Sequence, residues 1–154
     1  MRRAIVALAA FLLVAVTGCS VAVAGEAAPA GSGSSDGDQA LVEEYYDRLN
    51  DAADEGEDVL RQYLARTQHP DFTDRLCDLG GLTMHMIPAM STFRVDPDWV
   101  PPEADGPPRG VVYVLGVSIS VREDGALLGE QIGSQRVVVL DGRAYGFSPC
   151  PLGR

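Results

Sequence analysis

The chain has 154 residues, with 12 basic side chains against 22 acidic ones and a net charge of −10. A domain this acidic repels phosphate backbones, which excludes nucleic acid as a partner, and charge alone would not hold it on anionic headgroups. All 12 basic residues are arginine; the absence of lysine and the abundance of Ala, Gly, Val and Asp are those of a chain encoded by GC-rich DNA.

In chain order the first element is an export signal. Met1-Arg2-Arg3 leads into an apolar run from Ala4 to Val16, then Thr17-Gly18-Cys19, the positive, apolar, small-residue order of a cleavable secretory signal. The run is about thirteen residues, short of the roughly 20 that a helix needs to span a bilayer. Val16-Thr17-Gly18-Cys19 resembles the bacterial lipobox, which implies cleavage before Cys19 and acylation of Cys19, palmitate included. Several chains at about 0.8 kcal/mol per buried methylene make an attachment persistent where one chain holds only marginally. Losing the leader removes Arg2 and Arg3 but no acid, so ten arginines face 22 acids and the charge falls to −12. The expected organisation is a signal peptide over 1–18, a lipidated cysteine and flexible linker over 19–38, and one domain over 39–154. The expected address is the extracytoplasmic face of the cell membrane, secreted and lipid-anchored.

The linker is Ala/Gly/Ser/Pro-rich and includes Gly31-Ser32-Gly33-Ser34-Ser35; as a random coil of about nineteen residues it reaches roughly 25 Å. Beyond it, Leu41, Val42, Tyr45, Tyr46, Leu49 and Ala52-Ala53 recur at three- and four-residue spacing, which predicts a helix capped by Asp36 or Asp38 and ended or interrupted at Gly56. Val59, Leu60, Tyr63 and Leu64 predict a second, short helix that His69-Pro70 stops. Phe72 to Leu79 reads as a further turn or two of helix before Gly80-Gly81. The stretch from Leu82 to Met90 fits strand or helix equally. Pro88, Pro97, Pro101, Pro102, Pro107 and Pro108 mark a long exposed loop.

The C-terminal third alternates. Tyr113, Leu115, Val117, Ile119 and Val121 fall on one face, and Val112, Val114, Gly116, Ser118 and Ser120 on the other. Glu123-Asp124-Gly125 then separates this strand from a second over 127–140, and Asp141-Gly142 separates that from a third over 143–150. Asp-Gly between alternating runs is a hairpin signal, and two in succession give a three-stranded antiparallel meander. Helices first and a meander last predict an α+β fold, N-terminal helices packed on a curved antiparallel sheet.

That order resembles the nuclear-transport-factor-2-like, or cystatin-like, cone fold of small actinobacterial lipoproteins. The residues that carry the resemblance run from Leu41 to Asn50 (Leu-Val-Glu-Glu-Tyr-Tyr-Asp-Arg-Leu-Asn) and from Arg136 to Tyr145 (Arg-Val-Val-Val-Leu-Asp-Gly-Arg-Ala-Tyr). Cys77 after the second helix and Cys150 in the last strand also look like that group's bridge. The even count left once Cys19 is acylated, in an oxidising compartment, makes a Cys77–Cys150 disulfide the default on its own. No CxxC spacing supports a redox or zinc role.

Catalytic cones of the kind resembled place an Asp or His base in a pocket with a tyrosine donor, which makes Tyr45, Tyr46, Tyr113 and His85 the possible pocket residues. Asp47 or His85 meeting a tyrosine hydroxyl would be the sign of an isomerase or dehydratase. Met84-His85-Met86, followed by Met90, is the one soft-ligand cluster and suggests copper(I). Alternation along a strand sets His85 opposite the two thioethers, so methionines filling a core is the plainer reading. No catalytic residue, metal or cofactor is assigned. The expected function is a membrane-tethered envelope lipoprotein that binds an envelope protein or a small apolar ligand without catalysis, in a cavity rimmed by tyrosine hydroxyls. A small cone-fold enzyme and a copper-binding lipoprotein are the alternatives.

Overall fold

A computed structural model describes residues 36–148, all within the unit Ser32–Arg154. Two helices, α1 (Asp36–Glu55) and α2 (Glu57–Thr67), come first, then a single 3₁₀ turn (Pro70–Phe72). Four strands follow: β1 (Leu82–Val95), β2 (Val111–Glu123), β3 (Ala126–Leu140) and β4 (Arg143–Gly146). They form one antiparallel sheet in the order β1-β2-β3-β4. The fold is α+β, with a meander continuous from β1 to β4.

The helical spacing in the sequence is the buried stripe of the structure. α1 buries Val42, Tyr45, Tyr46, Leu49, Ala52 and Ala53, and α2 buries Leu60, Tyr63 and Leu64. Gly56 divides the two at φ 116°, a value that side-chain-bearing residues avoid, so the chain turns there with one residue between helices. Both Asp-Gly pairs form the expected two-residue hairpins. Asp124 and Gly125 have φ of 48° and 80°, Asp141 and Gly142 have 51° and 73°, and two consecutive positive values match the right-handed twist of the flanking strands.

The stretch that alternation alone left open, 82–90, is strand. Met84 and Met86 point into the core at 2% and 3% exposure, opposite Val121 and Ile119 of β2. Pro88 is tolerated because β1 is an edge strand, where a missing N–H on the outer side breaks no ladder bond. The same edge is closed one step earlier by a side chain of α1. Asn50 Nδ2 donates to the Met86 carbonyl at 3.0 Å, and Asn50 Oδ1 accepts from the Met86 N–H at 2.8 Å. One amide thus occupies both edge groups that another strand would use. Between Ala89 and Arg94 the register shifts, and Thr92 bridges the gap: its Oγ1 donates to Ala89 O at 2.7 Å and accepts from Gly116 N at 2.8 Å.

Several expectations need correction. The helix expected over 72–79 is absent; the 3₁₀ turn ends at Phe72, and no helix or strand is assigned from Cys77 until β1. Asp71 explains part of this, since its carboxylate goes to Arg109 across the chain rather than along a helix. The last strand stops at Gly146 instead of Cys150, where Gln68 and His69 run alongside it: Gln68 bridges Gly146, and His69 N donates to Gly146 O at 3.0 Å. Asp38 lies in the first turn of α1, and its carboxylate accepts from Tyr113 Oη at 2.6 Å, tying α1 to β2. The face of β2 that carries Gly116, Ser118 and Ser120 is buried at its start, with Val112 3% and Val114 5% exposed beside the fully buried Val138.

Candidate functional site

The four possible pocket residues do not meet in one place. Tyr46 and Tyr113 are 1% and 0% exposed and belong, with Tyr45, to the core that α1 makes on the sheet. Tyr113 stacks on Phe93 with centroids 4.4 Å apart, and Tyr45 meets Tyr46 edge-on at 5.1 Å and Tyr63 at 5.8 Å. Tyr63 Oη donates to the Tyr45 carbonyl at 2.7 Å. Burial pushes the Tyr45 phenol up to about 12, and raises Tyr46, Tyr63 and Tyr113 further, the last helped by Asp38. Burial favours the neutral phenol in all four, and the Tyr63 and Tyr113 hydroxyls donate hydrogen bonds within the fold.

His85 sits apart from them. Its Nε2 lies 3.1 Å from Asp54 Oδ1, a carboxylate that is 74% exposed, and Asp47 is on the exposed face of α1. Met84 and Met86 face the core while His85 faces away, so the strand sets imidazole and thioethers on opposite sides. Among the described residues, no three of His, Cys, Asp and Glu are grouped to hold a metal ion. Cys77 Sγ lies 3.8 Å from the Ser148 carbonyl; Cys19 and Cys150 lie outside the described residues.

What the structure does assemble is an aromatic groove that the sequence reading passed over as loop. Its volume is about 260 Å³, and Trp99, Phe147, Pro101 and Pro102 line it together with Gln68, Arg75, Glu103 and Ser148. Trp99 stands edge-on to Phe147 at 4.7 Å, and Phe147 stacks on the His69 ring at 5.7 Å and 7°. The Arg136 guanidinium lies 5.3 Å from the Trp99 ring centre and pairs with Asp96 at 3.1 Å, holding the indole from behind.

Beneath the groove, His69, Asp71 and Gln68 are held by hydrogen bonds. His69 is fully buried; its Nδ1 accepts from the Asp71 N–H at 3.2 Å while Nε2 bonds the Arg109 carbonyl at 2.9 Å. Arg109 grips Asp71 with two nitrogens, at 3.0 Å and 2.6 Å, and these hydrogen bonds hold that carboxyl below its usual range. Gln68 Nε2 donates to Phe72 O at 2.9 Å, and Gln68 Oε1 accepts from Ser148 N at 2.7 Å. Arg75 ties the far wall down through the Pro102 and Glu103 carbonyls. The signals that could have pointed here are the chain's single tryptophan inside its proline cluster and a histidine directly before a proline, a pair that in the sequence reads only as the stop of a helix.

The chain matches no family model, no curated protein and no solved structure. Among the described residues no helix is long and apolar enough to cross a membrane.

Proposed function

We propose that this chain is a membrane-tethered envelope lipoprotein of the cone-fold kind whose domain is a non-enzymatic binding module, with the Trp99–Phe147 groove as its ligand seat. The observation that carries the reading is the groove's chemistry: two aromatic rings and two prolines present an apolar surface, while the side chains of Gln68 and His69 beneath are engaged in hydrogen bonds to their neighbours. At about 260 Å³ it falls just under the roughly 300–1,000 Å³ of pockets that take drug-sized ligands. It therefore fits a small apolar molecule or one ring-sized side chain of a partner protein. The tyrosines that could have served a proton-transfer site are spent on the core, which favours binding over catalysis.

Trp99 is the chain's only tryptophan, so its emission reports on this groove alone. Titration with cyclohexanol is expected to give a saturable change in Trp99 emission, weakened by Pro102→Glu, which puts a charge on the apolar wall. A response that stays linear, or is the same in Pro102→Glu, would remove the groove from the proposal. The tether is tested separately: Cys19→Ala is expected to release the protein to the medium or leave its signal uncleaved. Cys19→Ala found processed and still membrane-bound would sink the lipidation.

A further inference from the structure

A second depression, of about 380 Å³, opens where α1, α2 and the β3–β4 turn meet. Three arginines from three elements stand round it: Arg48 of α1, Arg66 of α2 and Arg143 of β4. Elsewhere in the described chain Arg61, Arg109 and Arg136 are paired with carboxylates, and Arg75, Arg94 and Arg122 donate to backbone carbonyls. Arg66 and Arg143 have no carboxylate within ion-pair distance among the described residues. With 22 acids for 12 arginines a partner is easily found, so two unmatched guanidiniums at one depression are the exception. Arg48 pairs with Glu44 at 2.5 Å, but that pair is exposed on both sides and an i,i+4 contact of this kind is worth only a few tenths of a kcal/mol. Counting Glu44 against the three arginines leaves the rim at +2 on a strongly acidic chain.

The rim is also rigidly founded. The floor includes Tyr45 and Tyr63, both under 10% exposed and joined by the Tyr63 hydroxyl to the Tyr45 carbonyl, and Thr67 Oγ1 is fixed on the Tyr63 carbonyl at 2.9 Å. Guanidinium forks match planar or tetrahedral oxyanions, and three of them approaching from three sides exceed what one carboxylate, with its single fork, can use.

We propose that this trough is a binding site for a phosphate group, contacted by Arg66 and Arg143 and closed by Arg48 as it swings from Glu44. The same chemistry is offered by a soluble phosphate ester and by a phospholipid headgroup. For an exposed site the attraction is screened within about 10 Å at 0.1 M salt, so binding is tightest at low ionic strength.

The test is the arginine side-chain N–H signals of the intact chain, followed by NMR at low salt as inorganic phosphate is added. The expected result is saturable shifts at Arg66 and Arg143, with affinity reduced at least roughly tenfold in Arg66→Gln/Arg143→Gln, the size of losing hydrogen bonds to a charged group. Both positions are exposed, so the variant is expected to keep the wild-type amide spectrum elsewhere. A parallel titration with short-chain phosphatidylglycerol below its micelle concentration separates the sources. Tighter saturation there identifies a headgroup, and equal or weaker saturation a soluble phosphate. Shifts that grow linearly with both probes, or backbone shifts around the trough that persist in the double variant, would overturn the site. Trp99 emission should not respond to inorganic phosphate, so failure here leaves the aromatic groove untouched and failure there leaves the trough.

Discussion

Gly146→Ala is expected to destabilise the domain by about 3 kcal/mol, at the upper end for overpacking a filled core. A Cβ at this position would stand 2.0 Å from Tyr45 Oη and 2.8 Å from Tyr45 Cζ. Neither side can yield easily. Gly146 is held in the sheet by Val137 and bridged from the other side by Gln68. The Tyr45 ring is 7% exposed and wedged between Tyr46 and Tyr63. Tyr45→Phe removes the nearer of the two clashing atoms but leaves the ring carbon, so the double variant should recover part of the loss and no more. Urea midpoints of the four proteins give the cycle directly. Equal stability of Gly146→Ala and wild type would show that Tyr45 is not the fixed wedge described.

That contact also shows why a pocket could not be read from the sequence. Tyr45 and Tyr46 sit at helical spacing that announces a buried stripe, and buried they are. Nothing in the spacing, however, says whether a ring lines a void or fills it. The glycine that receives Tyr45 lies a hundred residues away, in a strand whose end was placed four residues too far along. Local chemistry was legible where it is self-contained. Asp124-Gly125 and Asp141-Gly142 dictate their hairpins, and Gly56 dictates the break between helices, because a backbone angle needs no distant partner. Fates decided by distant groups were not legible. Asp38, a plausible cap, is taken by Tyr113, 75 residues on. Asp71, suited to a helix, is taken by Arg109.

The candidate grooves follow the same logic. Trp99 comes from the connection between β1 and β2 and Phe147 from just after β4, and Arg48, Arg66 and Arg143 from three elements. Neither set has a spacing to recognise. The strand over 82–90 failed to declare itself for a related reason: Met84 and Met86 on its buried face and Ile87 and Ala89 on the other make both faces apolar, so the period of two shows in the burial but not in the residue types. Its partner Asn50 looked like one more polar residue on a helix, yet it does for the Met86 peptide what another strand would do.

The remaining large effect is expected at Cys77, for which we propose a disulfide to Cys150. Cys77 is half-buried, is not a free thiol, and lies 3.8 Å from the carbonyl of Ser148, two residues short of Cys150 in the chain. Two extended residues span at most about 7 Å, so the length of chain from Ser148 to Cys150 permits a bridge. The closed loop of about 73 residues would contain the whole sheet, and the chain-entropy estimate for it is roughly 4 kcal/mol. Cys77→Ser should therefore lose about that much in oxidised protein, and reductant should impose a similar loss on wild type. The decisive comparison is between the two in reductant. If cross-linking of the unfolded chain is the cause, Cys77→Ser and reduced wild type converge to nearly one urea midpoint. If instead Cys77 matters only through packing beside Ser148, reductant leaves wild type unmoved and Cys77→Ser stays below it; that outcome, or free thiols at both positions in non-reducing peptide maps, would sink the bridge.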